Sequence, residues 1–249
     1  MKYKCIRCGK EIEYSGKSGI ATCENCMTEQ AMPCSQDTHI MRLYEDAYTD
    51  FQNGEFEKVT GLYEQILREN QNDPMAHWML LLCAYGIEYE RGKLIIRRFQ
   101  YDRVTNNKDY KAAIAYGNQE QKTLFENHGK EIEELRLRIE GIVNAHEGDV
   151  DIFLSYKETD DKTGERTHDS NTADMLNTRL RDDYGYKVFY APVSLEGKSG
   201  ELFEPFIFSA LHSAKVMIVI GTSIEYLNSV WIKNEWERFL PLAEESNGS

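Results

Sequence analysis

The chain has 249 residues and a formal net charge of −13, from 42 acidic and 29 basic side chains. This acidic balance disfavours general nucleic-acid binding by charge alone, and no apolar run approaches the roughly 20 residues that span a bilayer. The first residues, MKYKCIRCGK, lack the apolar region of a signal peptide. We therefore expect a cytoplasmic protein whose six cysteines are reduced or metal-bound.

Residues 1–36 contain five of the six cysteines and form the first predicted domain. Two C-x2-C pairs, separated by fourteen residues, are made by Cys5, Cys8, Cys23 and Cys26. Each pair turns two thiolates towards one point, and two pairs complete a tetrahedral zinc site. A redox dithiol or a disulfide fits less well, because there are two pairs and no βαβ pattern surrounds either. The segment resembles a zinc ribbon, so we predict a structural Zn²⁺, since four cysteines leave no open position for catalysis.

Residues 37–148 are predicted to form an all-α helical domain. A first helix is indicated by apolar residues four apart, at Leu43, Ala47 and Phe51. Gly54 ends that pattern, a second amphipathic run follows, and Pro74 opens a third helix at its first position. This order resembles a tetratricopeptide repeat. A peptide-binding groove and a packed helical spacer both fit; we favour the spacer, because only about one and a half repeats are visible where such arrays need about three.

A local basic run interrupts the helical pattern between residues 91 and 103. Its cations are Arg91, Lys93, Arg97, Arg98 and Arg103. Phe99 and Tyr101 are interleaved with them, so contact with nucleic acid or a phosphorylated ligand is one interpretation. We favour a solvated hairpin, or pairing of these cations with acidic groups of the same protein.

Residues 149–249 alternate strand and helix patterns, which predicts a parallel sheet with right-handed crossovers. VDIFLS at 150–155 is a first strand, and residues 186–220 follow as strand, loop, helix and strand. Residues 216–220, VMIVI, form a continuous apolar run typical of a strand buried on both faces. Glu204 is expected about one turn into the helix, near the carboxyl ends of the strands, where ligands bind in open α/β sheets.

Several pieces of this last region together resemble a bacterial Toll/interleukin-1 receptor (TIR) domain. They are the first-strand box at 151–156, the loop at 192–200, Phe203 and Glu204 on the next helix, residues 213–215 before VMIVIG, and residues 231–236. The resemblance implies a flavodoxin-like α/β domain. With a zinc ribbon and a helical middle in front of it, the chain is similar to bacterial defence proteins.

Enzymatic members of this family split the nicotinamide–ribose bond of NAD⁺, and some cyclise the product. The resemblance therefore implies an NAD⁺ glycohydrolase in antiviral defence, with Glu204 matching the catalytic glutamate. Nicotinamide leaves a cationic pyridinium as a neutral molecule, so no acid is required, and one carboxylate can stabilise an oxocarbenium-like transition state. Glu196 and Glu201 are rival carboxylates, but they match the loop rather than the helix.

Further substrate-binding candidates surround Glu204. Phe203 matches an aromatic residue often found just before the catalytic glutamate. The others are Ser155, Tyr156 and Lys157 at the end of the first strand, Phe189 at the end of the second, and Trp231 in the last helix. Lys157 offers a cation for the pyrophosphate of NAD⁺. Each of these side chains is equally compatible with packing in the core or in loops.

Two departures from the family pattern keep a second function open. Gly200 stands where many enzymatic relatives carry a tryptophan. The family fold also has further strands and helices after the helix at Trp231, so either the domain is short or a partner covers the sheet edge. The alternative is a TIR adaptor without enzymatic activity. For either function we expect self-association through the loop at 192–200, and a protein or signal molecule as a trigger acting on the N-terminal domains.

Overall fold

The structure is a computed structural model that describes residues 2–14, 18–35, 37–90, 92–145, 150–195 and 203–247. The chain forms two compact units, Met1–Leu137 and Arg138–Ser249. The predicted zinc ribbon and most of the predicted helical domain therefore belong to the same unit. The predicted linker at 146–149 lies outside the described residues. In the described part of the chain, no helix combines the length and the apolar character needed to cross a bilayer.

The first unit begins with two antiparallel hairpins. Their strands are β1 (Lys2–Lys4) with β2 (Glu11–Glu13), and β3 (Ile20–Thr22) with β4 (Glu29–Ala31). The turn of each hairpin carries one of the two C-x2-C pairs.

The two hairpins share their core with the helix that follows them. The buried members of this core are Tyr3, Cys5, Ile12, Ala21, Cys23, Met32 and Tyr48. The ring of Tyr3 lies edge-on to that of Tyr48, with 5.7 Å between their centroids. Three-residue strands bury too little apolar surface to be stable alone, and the helix supplies the missing face.

The helices of the first unit largely follow the predicted pattern. They are α1 (Thr38–Gln52), α2 (Phe56–Glu69), α3 (Pro74–Tyr85), α4 (Lys108–Tyr116) and the first part of α5 (Gln119–Ala145), with a short 3₁₀ turn at Val104–Asn106. The boundary between the two units falls within α5, after Leu137. Pro74 is the first residue of α3, as predicted. Asp73 caps this helix by accepting hydrogen bonds from the backbone N–H groups of Met75 at 3.1 Å and Ala76 at 3.0 Å.

The prediction of an all-α middle region is wrong, because a hairpin follows α3. Its strands are β5 (Ile87–Glu90) and β6 (Lys93–Ile96), paired antiparallel. Gly86 ends α3 in the left-handed conformation, with φ of +55°, and the apolar end of β6 is buried. Arg97 pairs with Glu88 at 2.9 Å and Arg98 pairs with Glu57. These contacts agree with one of the two favoured interpretations of the basic run, the pairing of its cations with acidic groups of the same protein; Arg91 lies outside the described residues.

The second unit contains the predicted parallel sheet, with strand order β8-β7-β9. Its strands are β7 (Ile152–Tyr156), β8 (Val188–Phe189) and β9 (Val216–Ile220). Its helices are α6 (His168–Asp182), α7 (Ala191–Ser194), α8 (Glu204–Ser213), α9 (Ile224–Leu227) and α10 (Val230–Asn247).

Helices cover both faces of this sheet, because alternate residues of β7 point to opposite sides. One face packs against α6, and the buried cluster on that side contains Ile152, Leu154 and Tyr156 from β7, with Ala173 of α6 and Tyr190. The other packs against α8 and α10 and includes Phe153, Phe189, Ile207, Leu211 and Phe239.

Two details of this region differ from the prediction. β9 is not buried on both faces: Val216 is 50 % exposed and Val219 is 38 % exposed. The reason is position, since β9 pairs with β7 along one side only and forms an edge of the described sheet. Glu204 is the first residue of α8 rather than one turn into it, because Pro205 fits the first turn of a helix and Phe203 supplies the first acceptor carbonyl.

Candidate functional site

The four predicted cysteines form one cluster in the first unit. Their sulfur atoms all lie within 4.8 Å of one another, and the Sγ atoms are 3.5 Å apart in the pair Cys5–Cys26 and 3.6 Å apart in the pair Cys8–Cys23. A tetrahedral Zn²⁺ with Zn–S bonds of about 2.3 Å separates its sulfurs by about 3.8 Å, whereas a disulfide needs about 2.05 Å. The cluster can therefore hold a metal ion, and the cysteines are not in disulfides.

Two turns of the same shape present these sulfurs. In the first, the N–H of Gly9 donates to the carbonyl of Cys5 at 2.9 Å; in the second, the N–H of Met27 donates to the carbonyl of Cys23 at 2.8 Å. Gly9 and Met27 both have positive φ, +72° and +57°. Gly9 adopts this conformation without strain, whereas the second turn adopts it with a methionine, at a steric cost.

The environment of the sulfurs is uneven. Burial raises the pKa of the Cys5 thiol, whereas Thr28, whose hydroxyl lies 3.2 Å from the sulfur of Cys26, lowers the pKa of that thiol. Four thiolates in so small a volume repel one another, so a bound divalent cation is what allows all four to be deprotonated together.

A cavity of about 610 Å³ lies in the second unit. Four of the predicted substrate-binding residues line it, and these are Tyr156, Lys157, Phe189 and Phe203. They come from the end of β7, the end of β8 and the residue before α8, segments that are up to 47 residues apart in the chain (156 to 203). The fold thus brings these residues to one cavity of a size typical for small-molecule ligands.

The other three predicted site residues, Ser155, Glu204 and Trp231, are not among the residues that line the cavity in the described part of the structure. Ser155 does not line the cavity; it is buried, and its hydroxyl donates to Oε2 of Glu235 at 2.5 Å. Glu204 directly follows Phe203 in the chain, but its side chain lies outside the described part of the structure, as does the side chain of Trp231. Of the loop at 192–200, residues 196–200 are also outside the described residues, together with Glu201.

Aromatic rings form the apolar side of the cavity. Phe153 and Phe189 stack with centroids 4.8 Å apart and an angle of 8° between the rings. Both line the cavity, and both are almost completely buried. Phe189 therefore has a packing role in addition to any contact with a ligand.

The polar side of the cavity includes Tyr156, and the ring of Tyr190 stacks on that of Tyr156 with 5.8 Å between the centroids. Burial and the neighbouring Glu158 carboxylate raise the pKa of Tyr156 far above its usual value, and burial raises the pKa of Tyr190. The guanidinium of Arg166 donates to the hydroxyl of Tyr190 at 3.3 Å and to Glu158 at 3.0 Å. At neutral pH both tyrosine hydroxyls are therefore neutral.

The ammonium of Lys157 is already paired. It contacts both carboxylate oxygens of Asp161, at 2.8 and 2.9 Å, and Asp161 is largely exposed. An anionic ligand in the cavity would compete with the Asp161 carboxylate for this cation. Because that carboxylate is exposed and screened by water, it is a weak competitor.

The sequence analysis missed Glu235 and Ser229, which also line the cavity. Glu235 lies on the buried side of α10, three residues after Ile232, and only 5 % of it is exposed. An acidic residue at helical spacing from buried apolar residues was the available signal, because charged groups are rarely buried without a reason.

Comparison of the chain with models of protein families, with curated proteins and with solved structures finds no match in any of the three. The functional argument therefore depends on the residues and on their arrangement.

Proposed function

We propose that the second unit is a TIR domain that cleaves the nicotinamide–ribose bond of NAD⁺, and that the protein acts as an NAD⁺ glycohydrolase in bacterial antiviral defence in the cytoplasm. The observation that carries this proposal is the cavity. Four residues predicted from the sequence to bind NAD⁺ line this one cavity, next to the start of α8.

The sheet supports the same proposal. Strand order β8-β7-β9 is the order of the first three strands of a flavodoxin-like sheet, 2-1-3-4-5. Two pieces of the TIR-like pattern also meet, since the Lys215 ammonium pairs with the Asp151 carboxylate at 2.7 Å. In that fold the ligand binds at the carboxyl ends of the strands, which is where Tyr156 and Phe189 stand.

The chemistry requires few groups. The C1′–N bond breaks, its electron pair goes to the pyridinium nitrogen, and nicotinamide leaves neutral. Glu204 would stabilise the positive charge that develops on the ribose, and its place directly after Phe203, which lines the cavity, supports this role. Water, or a nucleophile within the same molecule, then attacks C1′ to give ADP-ribose or a cyclic product.

We assign the four-cysteine cluster to a structural Zn²⁺. Four sulfur ligands at tetrahedral spacing favour zinc over the harder cations, and they leave no position open for substrate. The first unit would then receive the trigger or set the spacing of an assembly.

A TIR adaptor without enzymatic activity is the second candidate, and one observation favours it. β9 exposes apolar side chains at the edge of the described sheet and carries no charge, proline or bulge, the devices that normally protect such an edge. An edge of this kind suits assembly with other domains.

Release of nicotinamide from NAD⁺ by the purified full-length chain tests the enzymatic proposal. We expect release by the wild type and a loss of at least about a hundredfold in Glu204→Gln, with an unchanged circular dichroism spectrum. Glu201→Gln is the matched control, because it changes a nearby carboxylate in the same way and should retain activity. Full activity in Glu204→Gln would exclude the assigned role, and inactivity of the wild type at every concentration would favour the adaptor.

A further inference from the structure

We propose that a second cavity, in the first unit, binds a small phosphorylated molecule through Lys4 and Arg7. This first-unit cavity has a volume of about 670 Å³ and lies among the first C-x2-C turn, the end of α1 and the strand β5. All three segments belong to the unit Met1–Leu137. The inference goes beyond the proposed function and does not depend on it, because it concerns a separate cavity and a different ligand.

The first observation is the charge of the first-unit cavity. Lys4 lines it from β1, and its ammonium makes no ion pair within the part of the chain that the structure describes. Among the described lining residues only Glu88 is acidic, and its carboxylate pairs with Arg97 at 2.9 Å. The wall therefore carries a cation without a described counter-charge in a protein whose net charge is −13. A concave surface of this kind attracts a small anion.

The second observation is the orientation of Arg7, which also lines this cavity. Its guanidinium donates to Oε1 of Glu131 at 2.5 Å, and its Cζ atom lies 5.1 Å from the centroid of the Tyr89 ring. Its Nε is buried and has no hydrogen-bond partner among the described residues. Buried polar groups are normally paired, so the hydrogen-bonding capacity of Arg7 is not fully used by the protein. A guanidinium restrained by two contacts loses little side-chain entropy when it binds an oxyanion.

The size and the lining of the first-unit cavity select the class of ligand. Its volume is in the range of small organic ligands and exceeds what a single anion fills. Phe51, Ile87 and Tyr89 give its wall an apolar part, which suits an aromatic or apolar body. A phosphate carries close to two negative charges at neutral pH and has three oxygens, so it can accept from Lys4 and Arg7 together. A nucleoside monophosphate combines the two parts.

Isothermal titration calorimetry of the full chain with uridine 5′-monophosphate tests this site. The probe carries a phosphate and an aromatic base, and it is not a part of NAD⁺, whose proposed cavity lies in the second unit. Uridine and inorganic phosphate should each bind at least about tenfold more weakly than the monophosphate, because each lacks one of the two parts. The affinity for the monophosphate should also fall as the salt concentration rises.

Lys4→Gln is the central variant, because Lys4 is exposed and its replacement removes a charge but no described ion pair. We expect its affinity for the monophosphate to fall about tenfold, with an unchanged melting temperature. Arg7→Gln should lose at least as much affinity; it also breaks the ion pair with Glu131, so its melting temperature is measured alongside. Lys10→Gln is the matched control, since Lys10 is exposed on the same hairpin and does not line the cavity. Lys157→Gln, at the cavity of the second unit, should also keep the wild-type affinity.

Three results would overturn the proposal. They are equal affinity of Lys4→Gln and the wild type, binding of uridine as tight as that of its monophosphate, and no binding of the monophosphate or of inorganic phosphate at about 10 mM. None of these results bears on the glycohydrolase, which is tested by nicotinamide release and by Glu204→Gln.

Discussion

The four-cysteine cluster and the cavity are built in opposite ways. The cluster uses two turns, each closed by hydrogen bonds within a few residues, such as that from the N–H of Cys5 to the carbonyl of Lys10 at 2.7 Å. The cavity collects side chains from residue 153 to residue 235, on two strands and three helices. Residue spacing along the chain is therefore enough to specify the first site, whereas the second depends on the complete sheet.

This difference predicts how each site fails. Removal of one cysteine ligand should abolish the four-cysteine cluster and unfold its two turns together, because the metal stabilises the short hairpins. A site formed by a fold weakens in steps, because each wall residue contributes separately to packing or to binding.

The largest effect is expected for Cys23→Ser. The variant should lose its metal, and the first unit should unfold, because structural zinc contributes roughly 10–16 kcal/mol in small domains, as much as the whole stability of a typical domain. Elemental analysis and thermal melting by circular dichroism measure both results. Cys34→Ser, which changes an exposed cysteine outside the cluster, should keep the metal and the melting temperature. Fresh wild-type protein without bound metal would contradict the assignment.

Features that depend on local sequence were predicted correctly, whereas features that depend on the assembled fold were not. The cysteine pairs, the start of α3 at Pro74 and the alternation of strand and helix are local patterns, and all are present in the structure. A hairpin was expected only as one interpretation of the basic run, and the strands β5 and β6 were not predicted, because strands of four residues give little periodicity. The exposure of β9 and the burial of Glu235 were missed because both depend on which neighbours the fold supplies; an apolar run has the same sequence at an edge as at the centre.

Phe189 allows the separate contributions within the cavity wall to be measured. Phe189→Ala should destabilise the second unit by about 3–5 kcal/mol, since it removes a buried ring stacked on Phe153. Phe189→Leu keeps most of the volume and should cost less than about 1.5 kcal/mol. Urea unfolding of the full chain measures both. Equal stability of the alanine variant and the wild type would show that Phe189 serves the ligand alone.

The exposed edge of β9 gives a smaller effect, on assembly rather than on folding. Val219→Lys places a charge on this edge and should reduce self-association, measured by light scattering, while leaving the melting temperature within a few degrees of the wild type. The nicotinamide release per molecule of the wild type should fall over a roughly hundredfold dilution, since association shifts the population to the active conformer. Ile224→Lys is the control, because Ile224 is exposed on α9 and not on the sheet. A wild type that is a monomer of constant specific activity at all concentrations would refute this expectation.

The smallest effect concerns pH and the first unit. Burial lowers the pKa of His128, although Glu131 opposes the shift, and its ring lies 6.2 Å from that of Trp78. The unfolded chain takes up a proton near pH 6.5, which the folded chain binds only at lower pH. The free energy of unfolding should therefore decrease as the pH falls below about 7.

His128→Gln isolates this contribution from the loss of metal in acid. The difference in the free energy of unfolding between wild type and variant should change between about pH 7.5 and pH 5.5, in the direction of a weaker wild type at the lower pH. A difference that is constant over this range would show that His128 does not titrate with folding.

The core that the hairpins share with α1 has a practical consequence for any study of this protein. Tyr48 packs against Tyr3 and the buried cysteines, so a chelator acts on the helices as well as on the metal-binding turns. Helical signal lost on chelation would then report this thermodynamic linkage, not a metal ligand in the helices. A truncation before residue 37 would uncover the same tyrosine, and the resulting fragment should aggregate rather than behave as an independent helical domain.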